Sequence, residues 1–276
     1  MNAPCFPRNP AWARTATSPF ILVKNVVFLV SGLYLPSPGL MSAEVQCIGA
    51  GGAGGWCAPY PGKYGAAGGG GSGGRSISAL PAAFVLGGVN VTVGLGNYPV
   101  AALTPRDPDN PQYAASTTFG TLVTALGGGD GWPYDPQGLS GDVMYGDGGY
   151  AQGPGTGDVF WSGTPGMRWT TVEMPQSGAT PPVPYGQGGR GGFVVGGTQG
   201  TTSMIGSADG LAGYFNSGAG GAGGESNYEA GAQPTRIGGR GSDGICIVTE
   251  IVSACGCGPG CGCGCGSARV SSWGCE

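Results

Sequence analysis

The chain has no histidine in its 276 residues, and that absence removes more candidate chemistry than any other feature. Histidine is the commonest general base, the central member of Ser-His-Asp and Cys-His arrangements, and the commonest neutral metal ligand. Hydrolase readings lose their usual machinery with it, and no enzyme activity is expected. Charge is scarce too: 11 Lys and Arg stand against 15 Asp and Glu, for a net charge of -4. No basic cluster is available to neutralise phosphates, which argues against nucleic acid as a partner. Uninterrupted apolar runs are also lacking. The stretch FILVKNVVFLVSGLYL, Phe20 to Leu35, follows Arg8 and Arg14 and superficially resembles a leader or a short membrane span, but Lys24, Asn25 and Gly32 interrupt it. Its Val, Ile and Phe content favours a strand pair, and no membrane insertion is expected. No window carries a 3.6-residue apolar stripe, so little or no helix is expected.

What the chain has in excess is glycine, 63 residues, together with 6 Trp, 11 Tyr and 8 Phe that argue for order. Each glycine fixed in a regular element costs roughly 0.5 to 1 kcal/mol relative to alanine, so the chain carries an entropy cost on the order of tens of kcal/mol. Dense backbone hydrogen bonding or partner chains must offset it, and an oligomer is expected. Tracts such as GGAGG and GAAGGGGSGG can adopt an extended helix of three residues per turn whose N–H and C=O groups point outward. Packed side by side, such helices pair laterally through their backbones; left alone, they are flexible linkers. Strand-like VTV, FVV and ICIV segments beside the tracts favour the packed form. The expected fold class is mainly β with extensive irregular structure, short strands and packed glycine-rich, polyglycine-II-like segments.

Three regions follow from composition. Residues 1–25, with Pro4, Pro7, Pro10 and Pro19, read as an extended attachment arm. Residues 26–252 read as a glycine-rich β domain. It opens with two apolar runs around a Pro-Ser-Pro-Gly turn and contains GGVNVTVGLGN, in which Val89, Val91, Val93 and Leu95 alternate with smaller or polar residues at the period of a half-buried strand. STTFGTLVTALGGG, GQGGRGGFVVGGTQG, GYFNSGAGGAGG and IGGRGSDGICIVTEIV repeat the theme of a short strand beside a glycine tract, at spacings too irregular for a solenoid. Within this domain, residues 130–185 read as an insertion rich in proline, acidic residues and aromatics. Residues 253–276 form a cysteine-rich tail.

The aromatic insertion supplies the receptor-contact candidates Trp132, Tyr134, Tyr145, Tyr150, Trp161 and Trp169, since Trp and Tyr stack on sugar faces and dominate protein hot spots. The competing reading makes them the insertion's own small core. In the tail, Cys255, Cys257, Cys261, Cys263, Cys265 and Cys275 are candidates for disulfides, for a structural zinc or iron site, or for free thiols. No other cofactor is implied. Cys47, Cys57 and Cys246 lie in or beside strand-like text and read as core or bridge residues. The acids of RDPDNPQ and Asp130, Asp135, Asp142, Asp147 and Asp158 match no calcium-loop template; a paired-carboxylate glycosidase stays open as a minor reading, since the acids lie in loop-like text with no placement signal.

Four pieces in order, VVFLVSGLYLPSPGLMSAEVQCIGAGGAGG, VNVTVGLGN, TTFGTLVTALGGG and GGRGSDGICIVTEIV, resemble the glycine-rich domain of bacteriophage tail fibre and receptor-binding proteins. The resemblance spans about Val26 to Val252. It implies a non-catalytic virion protein at the tail, often a homotrimer, that contacts a host cell-surface glycan or protein through variable loops. The arm would then join other tail or baseplate proteins. The long insertion and the cysteine tail depart from the usual pattern. A purely structural baseplate or decoration component is the alternative.

Overall fold

A computed structural model describes residues 21–57, 64–99, 112–132, 143–145, 155–166, 209–213, 215–226 and 235–253. Among them the chain is mainly β, and its only helical element is one turn of 3-10 helix, Ala82–Phe84. No helix among the described residues is long and apolar enough to cross a membrane.

Among the described residues twelve strands form three sheets: β1 Ile21–Phe28, β2 Gly32–Tyr34, β3 Leu40–Ile48, β4 Tyr64–Ala66, β5 Arg75–Pro81, β6 Val89–Thr92, β7 Thr117–Phe119, β8 Val123–Ala125, β9 Val143–Tyr145, β10 Val159–Trp161, β11 Glu225–Ser226 and β12 Ile245–Ser253. The largest sheet is antiparallel throughout, in the order β1-β12-β3-β5-β10. A four-stranded antiparallel sheet, β2-β6-β7-β8, packs on it. Alternation decides which side chains meet between the two. Val45 and Cys47 of β3, with Cys246 and Val248 of β12, face Val89 and Val91 of β6, Phe119 of β7, and Val123 and Ala125 of β8. Tyr34 packs against Phe119 with ring centroids 5.4 Å apart.

The two runs read around the Pro-Ser-Pro-Gly turn are present, but the first divides. Its part up to Phe28 lies in the large sheet, and after a bend near Ser31 the part from Gly32 joins the smaller one. Gly39, at the end of the turn, has a φ of 81°, which a residue with a Cβ rarely adopts. β1 begins at Ile21, so Ile21 to Asn25 are strand. TTFGTLVTA is a hairpin of β7 and β8 around Gly120, which has a φ of 55°.

Strands β3 and β8 continue directly into the tracts 49–57 and 126–132, while the tracts 67–74 and 236–244 lead into β5 and β12. These tracts are not linkers. Every N–H from Gly49 to Gly55 donates to another segment, at 2.7 to 3.2 Å. Gly49, Gly52 and Gly55 donate to the carbonyls of Gly74, Gly71 and Gly68; Gly51, Gly54 and Cys57 donate to those of Ser242, Gly239 and Arg236. A partner that recurs every third residue marks the extended three-residue helix. Six segments surround 49–57 and bond to it: 67–74, 94–97, 112–116, 126–132, 217–224 and 236–244. The heptapeptide GAGGAGG occurs at 49–55 and again at 218–224, and the two copies lie parallel in register, Gly221 and Gly224 donating to the carbonyls of Gly52 and Gly55. In the first copy, the three-residue turn puts Ala50, Ala53 and Trp56 on one face and leaves glycine on the other two. A Cβ on Gly52 would overlap the carbonyl of Gly129 and one on Gly54 that of Ala222. Backbone approach of this closeness excludes every other residue.

Candidate functional site

The molecule has two ends, set by the hydrogen-bond ladders. Gly49 and Gly74 sit where the tracts meet the sandwich, and Cys57 pairs with Arg236 at the far end, about 25 Å away at some 3 Å per residue. At that far end β4 pairs with β11 and, in parallel, with β9, the only described strand between positions 133 and 154. Trp132 belongs to the same end, because its carbonyl accepts the N–H of Gly68. The described residues flanking 58–63, 133–142 and 227–234 therefore gather there. Pro99 and Gln112, which flank 100–111, lie partway along the bundle: Asn97 Nδ2 donates to Asp130 Oδ1, and Asp130 donates its N–H to the carbonyl of Gln112.

Of the six aromatic candidates, Trp132 and Tyr145 thus come to the far end. Trp161 does not. It ends β10, which pairs with β5 at the edge of the large sheet, so it flanks the root of the bundle. The Arg75 guanidinium lies 5.0 Å from its ring centroid, and Arg75 also donates to Gln46 Oε1 at 2.9 Å. The arrangement presents an exposed indole in one orientation. Phe160 beside it is also exposed. Tyr134, Tyr150 and Trp169 lie outside the described residues, as do all six tail cysteines, so the disulfide, zinc and iron readings concern positions beyond the described part.

The passage 130–185 is not a single insertion. Residues 155–166 belong to the scaffold: Thr156 exchanges backbone hydrogen bonds with Thr124, β10 extends the large sheet, and Ser72 donates its N–H to Thr164. Asp130 is scaffold as well. Buried at the heart of the bundle, its Oδ1 accepts the N–H of Ala53 at 2.7 Å and Asn97 Nδ2 at 2.8 Å. Here a carboxylate takes the place of a neighbouring backbone carbonyl. Asp158 is likewise used internally, its Oδ2 accepting the N–H of Ala79. Among the described residues no group of three His, Cys, Asp or Glu side chains converges as a metal site would require.

The opposite end carries the chain's two exits. Ile21, the first described residue, is paired with Ser253, the last, so the chain enters and leaves the described part through adjacent strands at the base of the sandwich. Near this base lies a clamp not evident from sequence. Glu250, fully buried, accepts the Tyr34 hydroxyl at 2.8 Å, the Ser37 N–H at 3.0 Å and the Ser37 hydroxyl at 2.6 Å, with Lys24 Nζ at 3.5 Å. Burial alone would raise its pKa; the hydrogen bonds from Ser37 and Tyr34 and the Lys24 charge outweigh it and hold the carboxyl below its ordinary value. The Tyr34 phenol is pushed up in turn, by burial and then by the carboxylate it faces. Leu33, Leu35, Phe84 and Leu86 leave an apolar exposed surface on this part of the sandwich.

No protein-family profile matches the chain, and a search of curated proteins returns no relative.

Proposed function

We propose that this chain is a tail-fibre or tail-tip adhesin of a bacteriophage virion, non-catalytic and assembled as a homotrimer. The observation that carries the reading is polarity: residues 21 and 253 lie side by side at one end of the bundle, and the described residues flanking 58–63, 133–142 and 227–234, with Trp132 and Tyr145, gather at the other. In this reading the base joins other tail or baseplate proteins through residues 1–20 and the apolar surface around Leu35 and Phe84. The far end meets a host cell-surface glycan or protein. A scaffold whose cohesion lies in backbone hydrogen bonds suits this task, because its loops can change without touching what holds it together. Weak loop contacts gain strength from copy number. The resemblance to the glycine-rich domain of phage tail fibre proteins supports the same reading.

The test replaces 133–142 and 146–154 by Gly-Ser linkers of equal length, keeping Asp130 to Trp132, β9 and residues 155–166. Virions carrying this chain are expected to assemble and to lose adsorption. Unchanged adsorption would instead favour a structural baseplate or decoration component that makes no receptor contact.

A further inference from the structure

Cys47 and Cys246 are 199 positions apart in sequence and directly opposite each other across β3 and β12. Both side chains point into the sandwich core, both are fully buried, and their sulfurs are 3.7 Å apart. Directly opposed residues of antiparallel strands have Cα atoms about 4.5 to 5.5 Å apart, inside the range that a disulfide spans. Little more than a side-chain rotation separates the two thiols from a bond. Cys57, the third described cysteine, lies at the far end of the bundle and cannot compete for either.

We propose that Cys47 and Cys246 are a disulfide site, closed when the chain meets a small-molecule disulfide in an oxidising medium. The chemistry is a two-step exchange. One protein thiolate attacks the small disulfide, expels the first small thiol and leaves a mixed disulfide; the second protein thiolate then attacks the protein sulfur of that bond and releases the second small thiol. The two protein thiols lose two electrons and two protons in total, and the small disulfide accepts them.

Position gives the bond its consequence. Only Ile48 separates Cys47 from the 49–57 tract and only Ile245 separates Cys246 from the 236–244 tract, so the bond ties the roots of two glycine segments that are also laterally hydrogen bonded. A link closing so long a loop removes much of the freedom of the unfolded chain. In the closed fold the thiols are shielded, and Cys47 is held protonated by its contact with Cys246 and by burial, so the reaction needs transient opening of the strand pair. The inference does not depend on the adhesin reading.

The test holds the purified full chain with oxidised glutathione a few degrees below its melting midpoint. Remaining thiols are blocked with N-ethylmaleimide, and the protein is digested with trypsin, a glutamate-specific protease and chymotrypsin. Cys47 then lies on peptide 45–56 and Cys246 on peptide 241–250, each free of other cysteines. The expected product is these two peptides joined, separable by reductant, with a melting midpoint several degrees above that of the reduced chain. In C246A the joined product disappears and the difference between oxidised and reduced midpoints shrinks. Recovery of both peptides blocked by maleimide, or of either joined to a tail cysteine instead, overturns the proposal. The mapping uses the unsubstituted chain, so it stands even if C246A fails to fold.

Discussion

Glu250 is the residue on which the base of the sandwich depends. Its carboxylate gathers Tyr34, Ser37 and Lys24 from β2, the Pro-Ser-Pro-Gly turn and β1, fastening three segments to β12. Glu250→Gln leaves these donors facing an uncharged amide, and a loss of about 3 kcal/mol in urea denaturation at pH 7 is expected. Because the folded pKa lies below the ordinary value of 4.5, the carboxylate's contribution is fully present above 4.5 and is lost as pH falls through the folded value. The gap between wild type and Glu250→Gln therefore narrows when the same titration is repeated at pH 3; an equal gap at both pH values contradicts the assignment. Glycines separate into two kinds at the same scale. Gly52→Ala forces a Cβ into the Gly129 carbonyl and is expected to cost about 3 kcal/mol or more, whereas Gly87→Ala meets no atom within 4 Å and is expected to be neutral or to stabilise by up to about 1 kcal/mol. Thermal melts of the two variants separate packed glycines from free ones.

Among the elements, the 49–57 tract is the axis around which the others are ordered. It is ringed by six segments, so its amides should exchange with solvent among the slowest in the molecule, and more slowly than those of edge strand β1, although β1 is the more hydrophobic stretch. Exchange of Gly51 and Gly54 at the rates of an open loop would contradict the bundle. Much at this level was legible in sequence. The alternation of Val89, Val91 and Val93 gave strand and buried face together, and the tracts were recognisable as packable because strand-like residues stood beside them. Their neighbours were not legible, since glycine has no side chain to encode a partner and the ordering comes from where the strands deliver each tract. The same limit explains Asp130 and residues 155–166. In the sequence they sit in polar, proline-rich text, and only the lattice reveals an acid standing in for a carbonyl and a short strand completing a sheet edge.

For the whole molecule, polarity is the property that matters. On the adhesin reading proposed above, peptide tags placed at the N-terminus and within 133–142 of the chain on the virion are expected at opposite ends of the density in labelled cryo-EM, the first against the particle and the second outermost. The reverse order would require the base to face the host. Sequence could indicate an arm and a tail but not that they share an end, because this rests on the register that sets Ile21 beside Ser253.

The glycine lattice also has a consequence for how such a gene can change. Nearly every single-nucleotide change that alters a glycine codon introduces a side chain, and in the lattice even one methyl group collides with a backbone carbonyl. The connections 58–63, 133–142 and 227–234 hold four glycines among 24 residues, so few of their codons fall under that rule. Random mutagenesis with selection for assembled particles should therefore yield survivors whose changes crowd into the connections and leave the glycine tracts almost blank.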